Sequence, residues 1–129
     1  MGIEKFTLGK NERLKSRKQI ERLFKEGKSF MLPPFRVTYI IGSAETGAQL
    51  QFGVGAGTRS FKKAVDRNRA KRMVREAWRL QKNALFRQLE QQKKQMDVFL
   101  VYTGRELPTY QEVYDKTGLV IEKLLGKIN

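Results

Sequence analysis

Apolar positions along the chain fall into blocks with a period near 3.6 and blocks with a period near 2, and the order of the blocks predicts the elements. In "SRKQIERLFKEGKSF", Ile20, Leu23 and Phe24 recur at helical spacing, Ser16 and Gln19 form an S-x-x-Q capping box, and Gly27 supplies a stop. A helix this short must pack on something to persist. The polar, basic residues 1–15 before it read as an extended lead-in. After Pro33-Pro34, "FRVTYII" is rich in β-branched and aromatic residues and predicts a strand over 35–41. Leu50, Phe52, Val54 and Ala56 alternate through "LQFGVGAGT", which predicts a return strand paired with it as a hairpin across the turn-rich "GSAETGAQ". Ser29 and Phe30 mark the start of a further edge strand. From about residue 64 to about residue 89 the pattern predicts one long helix. "MDVFLVYTG" is then a near-continuous apolar run, as expected of a strand in the middle of a sheet. Thr109 and Glu112 form a second capping box ahead of Val113, Thr117, Ile121, Leu124 and Leu125, which predicts a closing helix. The order αβββαβα implies a two-layer α+β sandwich, with one domain spanning 1–129.

Charge changes this picture from a fold to a partner. The chain carries 27 Lys and Arg against 13 Asp and Glu, a formal charge of +14, and such self-repulsion calls for a polyanion. It has no cysteine, which excludes disulfides and thiolate metal sites, and no histidine, which removes the usual base and nucleophile systems. The start lacks an apolar run of signal-peptide length and no later stretch approaches a membrane span, so a cytoplasmic protein is expected, with no membrane partner.

The charge is concentrated in "KKAVDRNRAKRMVREAWR". At about 100° per residue, Arg67, Asn68, Lys71, Arg72, Arg75, Arg79 and Lys82 share an arc of about 140°, with Ala70, Met73, Ala77, Leu80 and Ala84 opposite. Val74 and Trp78 fall at the border, where the indole ring would be buried with its N–H accessible. A merely solvated face would intersperse acids in i,i+4 pairs, yet the stretch from Arg59 to Lys82 holds ten basic residues and only Asp66 and Glu76. A membrane-surface helix would need larger apolar residues than these alanines. Arginine forks beside an asparagine suit phosphate and ribose instead.

The run Arg67-Asn68-Arg69, then Lys71, Arg72 and Arg75, resembles the R-N-R-x-K-R-x-x-R signature of the bacterial ribonuclease P protein family. The resemblance extends over most of the chain, with "DVFLVYTG" similar to that family's central strand. It implies an α/β sandwich with a left-handed βαβ crossover through the basic helix, against the ordinary hand. It also implies a subunit that assists magnesium-dependent removal of the 5′ leader from precursor tRNA. The catalytic centre and its Mg2+ then belong to the ribonuclease P RNA, no protein partner is expected, and this chain supplies no catalytic or metal-ligating residue. Arg67, Asn68, Arg69, Lys71, Arg72 and Arg75, with Arg59, Lys62 and Lys63 before them, would face that RNA and the substrate. A cleft between the first helix and the sheet, with Phe24, Phe35, Arg36, Thr38 and Tyr39, would hold the single-stranded leader. Ile20 and Thr38 stand where family members often carry aromatics, Thr58-Arg59 replaces a pair of lysines, and the glycine-rich "FGVGAGT" has no explanation at this level.

Two rivals fit less well. A protein-only nuclease needs clustered carboxylates, but Asp66 and Glu76 lie about 15 Å apart along a helix and about 80° apart around it. A general RNA-binding or ribosome-associated protein suits the charge but not the ordered motif.

Overall fold

The computed structural model of the chain describes residues 13, 14, 16–43, 49–57 and 60–128. Eight elements follow in the order α1 (Arg17–Glu26), β1 (Lys28–Leu32), β2 (Phe35–Ser43), β3 (Gln49–Ala56), α2 (Ala64–Gln81), α3 (Asn83–Gln92), β4 (Lys94–Tyr102) and α4 (Tyr110–Ile128). Both predicted caps form: Ser16 Oγ accepts from the Gln19 N–H at 3.4 Å, and Thr109 Oγ1 from the Glu112 N–H at 3.2 Å. Most of the predicted lead-in lies outside the described residues. Leu14 is placed, and its N–H donates to the Phe52 carbonyl at 2.9 Å along the edge of β3. No helix among the described residues is long and apolar enough to cross a membrane.

The strands form one sheet in the order β1-β2-β4-β3. The edge strand expected at Ser29 and Phe30 is β1, paired antiparallel with β2 across Pro33-Pro34. The predicted hairpin between β2 and β3 does not form, because β4 lies between them, antiparallel to β2 and parallel to β3. The physical reason is in the side chains. β4 presents apolar groups on both faces, Met96, Val98 and Leu100 on one and Phe99 and Val101 on the other, so it gains most from neighbours on both sides. β3 carries Gly53 and Gly55 on one face, has less to bury there, and takes the edge.

The long helix expected over 64–89 is divided at Lys82, giving the order αβββααβα. A straight helix of that length would run about 39 Å, while a nine-residue strand runs about 30 Å. The break at Lys82 (φ −69°, ψ −19°) lets α3 stay on the sheet, and α3 ends at Lys93 in the left-handed region (φ 53°, ψ 49°). Lys82, expected on the basic face, is instead buried, because it falls in line with the buried Trp78, Leu85 and Leu89.

One face of the sheet carries the core. Phe35, Val37 and Tyr39 of β2, Leu50, Phe52 and Val54 of β3, and Met96, Val98, Leu100 and Tyr102 of β4 pack against α2, α3 and α4. In α2 the buried residues are Ala70, Val74, Ala77 and Trp78. The buried stripe is therefore rotated from the predicted one: Val74 and Trp78 are central, Met73 is only partly buried, and Leu80 and Ala84 are exposed. The tryptophan decides the rotation, since its large ring gains most from burial, and it stacks on Phe52 with centroids 4.2 Å apart and planes 11° apart. Its Nε1 is buried and has no hydrogen-bond partner among the described residues, contrary to the expected accessible N–H.

Candidate nucleic-acid interface

The basic surface follows from the same packing. With Ala70, Val74, Ala77 and Trp78 turned to the sheet, Asn68, Arg69, Arg72 and Arg75 are left exposed on α2, and Lys62 and Lys63 are exposed just before it. Lys71 and Arg67 are partly buried. Glu76 is paired with Arg79 three residues on, and the hydrogen bond from that guanidinium holds the Glu76 carboxyl below its ordinary range. Arg59 lies outside the described residues.

Arg67 differs from the rest of its motif. Its Nη1 donates to the Phe61 carbonyl at 2.8 Å and to the Lys62 carbonyl at 2.9 Å, both in the turn before α2.

Among the described residues, α1 and Leu14 lie against the other sheet face. Three rows cross it by register: Ile40, Asp97 and Gln51; Thr38, Phe99 and Gly53; Arg36, Val101 and Gly55. Leu23 anchors α1 there and is fully buried, while Phe24 stays 49% exposed and meets Phe99 edge-on, with centroids 5.2 Å apart. The glycine-rich strand now has a physical account. A Cβ at Gly53 would come within 2.7 Å of the Phe99 ring, and one at Gly55 within 3.2 Å. The two glycines form the bed on which that ring lies. Phe99 is not among the residues that the sequence pattern points to as a site. The signal that points to it is the pair of glycines two residues apart, hence on one face of a strand.

The five expected cleft residues divide by parity. Phe24 and Arg36 are exposed on the α1 side. Thr38 is on that side too but is 1% exposed, with its Oγ1 3.1 Å from Ser29 Oγ. Phe35 and Tyr39 are in the core on the opposite face and do not line the cleft. A strand with period 2 cannot present positions 35 and 36 on one side.

A cavity of about 440 Å³ opens beside α1, lined by Arg13, Leu14, Ile20, Gly53 and Phe99 together with Arg75 of α2. Arg75 therefore joins the basic helix to the cleft. On the other flank, Gln19, Arg22, Gln51, Gln95 and Asp97 line a smaller hollow. Burial pushes the Asp97 carboxyl above its ordinary range, with Arg22 opposing the shift.

The glycine-bedded cleft lies beside a strip of exposed arginines, and comparison with known proteins fixes the family. Residues 8–125 match the family model described as Ribonuclease P. The chain belongs to the ribonuclease P protein family. A relative from Porphyromonas gingivalis named "Ribonuclease P protein component" is 39% identical over 123 residues, covering 95% of this chain and 90% of its own length. Another of that name from Dictyoglomus turgidum is 36% identical over 81 residues, covering 63% of this chain and 65% of its own. Among solved structures, the RNase P protein from Thermotoga maritima superposes with a TM-score of 0.65 at 26% identity, covering 87% of this chain and 96% of that one. The Staphylococcus aureus RNase P protein shares the fold with a TM-score of 0.64 at 20% identity, covering 93% of this chain and 100% of that one. The mixed α+β fold of one four-stranded sheet and four helices is thus that of ribonuclease P proteins, α2 and α3 being the two parts of the expected central helix.

Proposed function

We propose that this chain binds the catalytic RNA of ribonuclease P and the 5′ leader of precursor tRNA, and assists magnesium-dependent removal of that leader. The observation that carries the reading is the division of α2. One side is core, and the other exposes Asn68, Arg69, Arg72 and Arg75 with no acidic residue among them. Lys71 adds a partly exposed charge. Such a strip neutralises successive phosphates and binds in proportion to the counterions released.

The leader segment fits the α1 face of the sheet. Phe24 and Phe99 give aromatic surface for stacking bases, Gly53 and Gly55 let a strand approach the backbone, and Arg36, Arg75 and Arg13 offer charge to its phosphates. Phe99 takes up part of the role that the family's aromatics at Ile20 and Thr38 would have filled.

Hydrolysis is assigned to the RNA. The chain has neither histidine nor cysteine, and among the described residues no three of His, Cys, Asp or Glu come together as a metal cage. Phosphate oxygens of the RNA are the donors expected to hold the magnesium ions that activate water and stabilise the leaving oxygen.

Reconstitution tests this directly. The purified chain alone should leave precursor tRNA intact, and added to ribonuclease P RNA at low magnesium it should increase cleavage at the mature 5′ end. Cleavage by the chain alone would make it a nuclease in its own right. No effect on the RNA enzyme would leave a general RNA binder.

A further inference from the structure

We propose that Arg67, the first arginine of the signature, is a positioning residue that holds the turn before α2 so that Lys62 and Lys63 meet phosphate, and that it makes no phosphate contact itself. The inference rests on the RNA-binding reading above and assigns a different role to one residue within it.

The geometry is specific. A guanidinium Nη1 carries two N–H groups, and here that nitrogen serves two carbonyls, Phe61 O at 2.8 Å and Lys62 O at 2.9 Å. Both hydrogens of that nitrogen are thereby used inside the protein, which fixes the guanidinium against its own turn with the side chain partly buried and leaves only Nε and Nη2 for another partner. The neighbouring residues show that the turn is built to be stiff. Phe61 is buried, with its ring stacked on Tyr102 at 5.6 Å and 11°. Ser60 Oγ donates to the Tyr102 carbonyl at 3.1 Å. The helix itself starts without a side-chain cap, since Lys63 occupies the N-cap position and makes no such bond. Arg67 does not act as a cap, which would accept from the first N–H groups of the helix; by donating to two carbonyls it ties the turn back to the helix from inside.

The residues held this way are Lys62 and Lys63, both exposed. Two lysines at the positive end of a helix dipole are an unfavourable placement for stability. Such a placement is favourable when an anion binds across them, and a fixed turn spares that anion the entropy of ordering two long side chains.

The test measures binding of the full chain to ribonuclease P RNA across a series of salt concentrations, for the wild type, Arg67→Gln, Lys62→Gln/Lys63→Gln, and the triple variant. The lysine pair should lower the log–log slope by about two units. Arg67→Gln should lower it by more than the one unit expected of a lost phosphate contact, and the triple variant should fall no further than the lysine pair. Native-state hydrogen exchange supplies the second readout. In Arg67→Gln the Phe61 amide, which donates to the Gly57 carbonyl at 3.2 Å, should exchange faster, while amides from Ala70 onward in α2 keep their protection. If the pair lowers the slope and Arg67→Gln removes one further independent unit, Arg67 is a phosphate ligand and the proposal is overturned with the RNA reading intact. If the lysine pair leaves the slope unchanged, the RNA-facing reading of this turn falls and takes the proposal with it. Unchanged exchange at Phe61 would overturn the positioning role on its own.

Discussion

The two faces of the four-stranded sheet are made by the same strands and behave as different materials. On the face under α2 and α4, Phe52 stacks on Trp78 and the large side chains are fully buried. On the α1 face, α1 packs on β2 and β4, Phe24 is half exposed, and Asp97 holds a carboxyl whose ionisation burial opposes. Neighbouring residues along β2 and β4 belong to opposite faces, so stability and binding are interleaved one residue apart. A substitution's effect should therefore depend on parity more than on residue type.

The largest expected effect breaks the closed face. Trp78→Ala removes a fully buried ring and should cost about 3–5 kcal/mol of unfolding free energy in urea denaturation. A loss below about 1 kcal/mol would mean that the stack on Phe52 is not a core contact. Next comes the glycine bed of the α1 face. Gly53→Ala puts a methyl 2.7 Å from the Phe99 ring and should cost about 1–2 kcal/mol. In a Phe99→Ala background the sign should reverse, because alanine in a strand is otherwise preferred to glycine by about 0.5–1 kcal/mol. A double-mutant cycle with no coupling would separate the glycine from the ring.

Phe24→Ala sharpens the contrast from the binding side. Thermal and urea stability should drop by about 1 kcal/mol, the worth of an edge-on aromatic contact. Affinity for a precursor tRNA with a single-stranded leader should fall by about 1–3 kcal/mol per base that stacks there, measured against a leaderless tRNA as control. Arg72→Gln should leave stability unchanged and reduce the salt slope of RNA binding by about one unit. An unchanged slope would make Arg72 part of a solvated face.

The smallest effect concerns Asp97. Its folded-state carboxyl is raised above its unfolded value, so the native state binds the proton more tightly than the unfolded state does. The carboxyl's penalty is absent below the unfolded value and is complete once pH has risen past the folded one. Asp97→Asn should accordingly raise the melting temperature slightly at neutral pH, with the gain shrinking as pH falls through the carboxylate range. A gain that is equal at both ends would point to packing instead of ionisation.

How much of this was legible beforehand depends on distance along the chain. Ser16 with Gln19 and Thr109 with Glu112 predicted real caps because a capping box is complete within four residues. "MDVFLVYTG" was read as a central strand because its apolar side chains serve both faces, and β4 is central. The hairpin expected between β2 and β3 failed because adjacency in sequence is only a default that a more apolar strand can displace. The resemblance groups Phe35 and Tyr39 with Arg36 and Thr38, whereas the pleat separates them. Arg67 matched the signature as well as Arg72 does, and only its carbonyl partners distinguish the two.

By itself the sequence determined the periods, the caps, the excess of positive charge and its concentration on one helix, since each is settled by neighbours within a turn or two of chain. The tertiary structure decided the insertion of β4 between β2 and β3, the rotation of α2 onto Trp78, the side of the sheet that α1 takes and the carbonyls that Arg67 would meet. Those outcomes come from pairings between residues brought together by the fold, where burial of the largest apolar surface outweighs local preference.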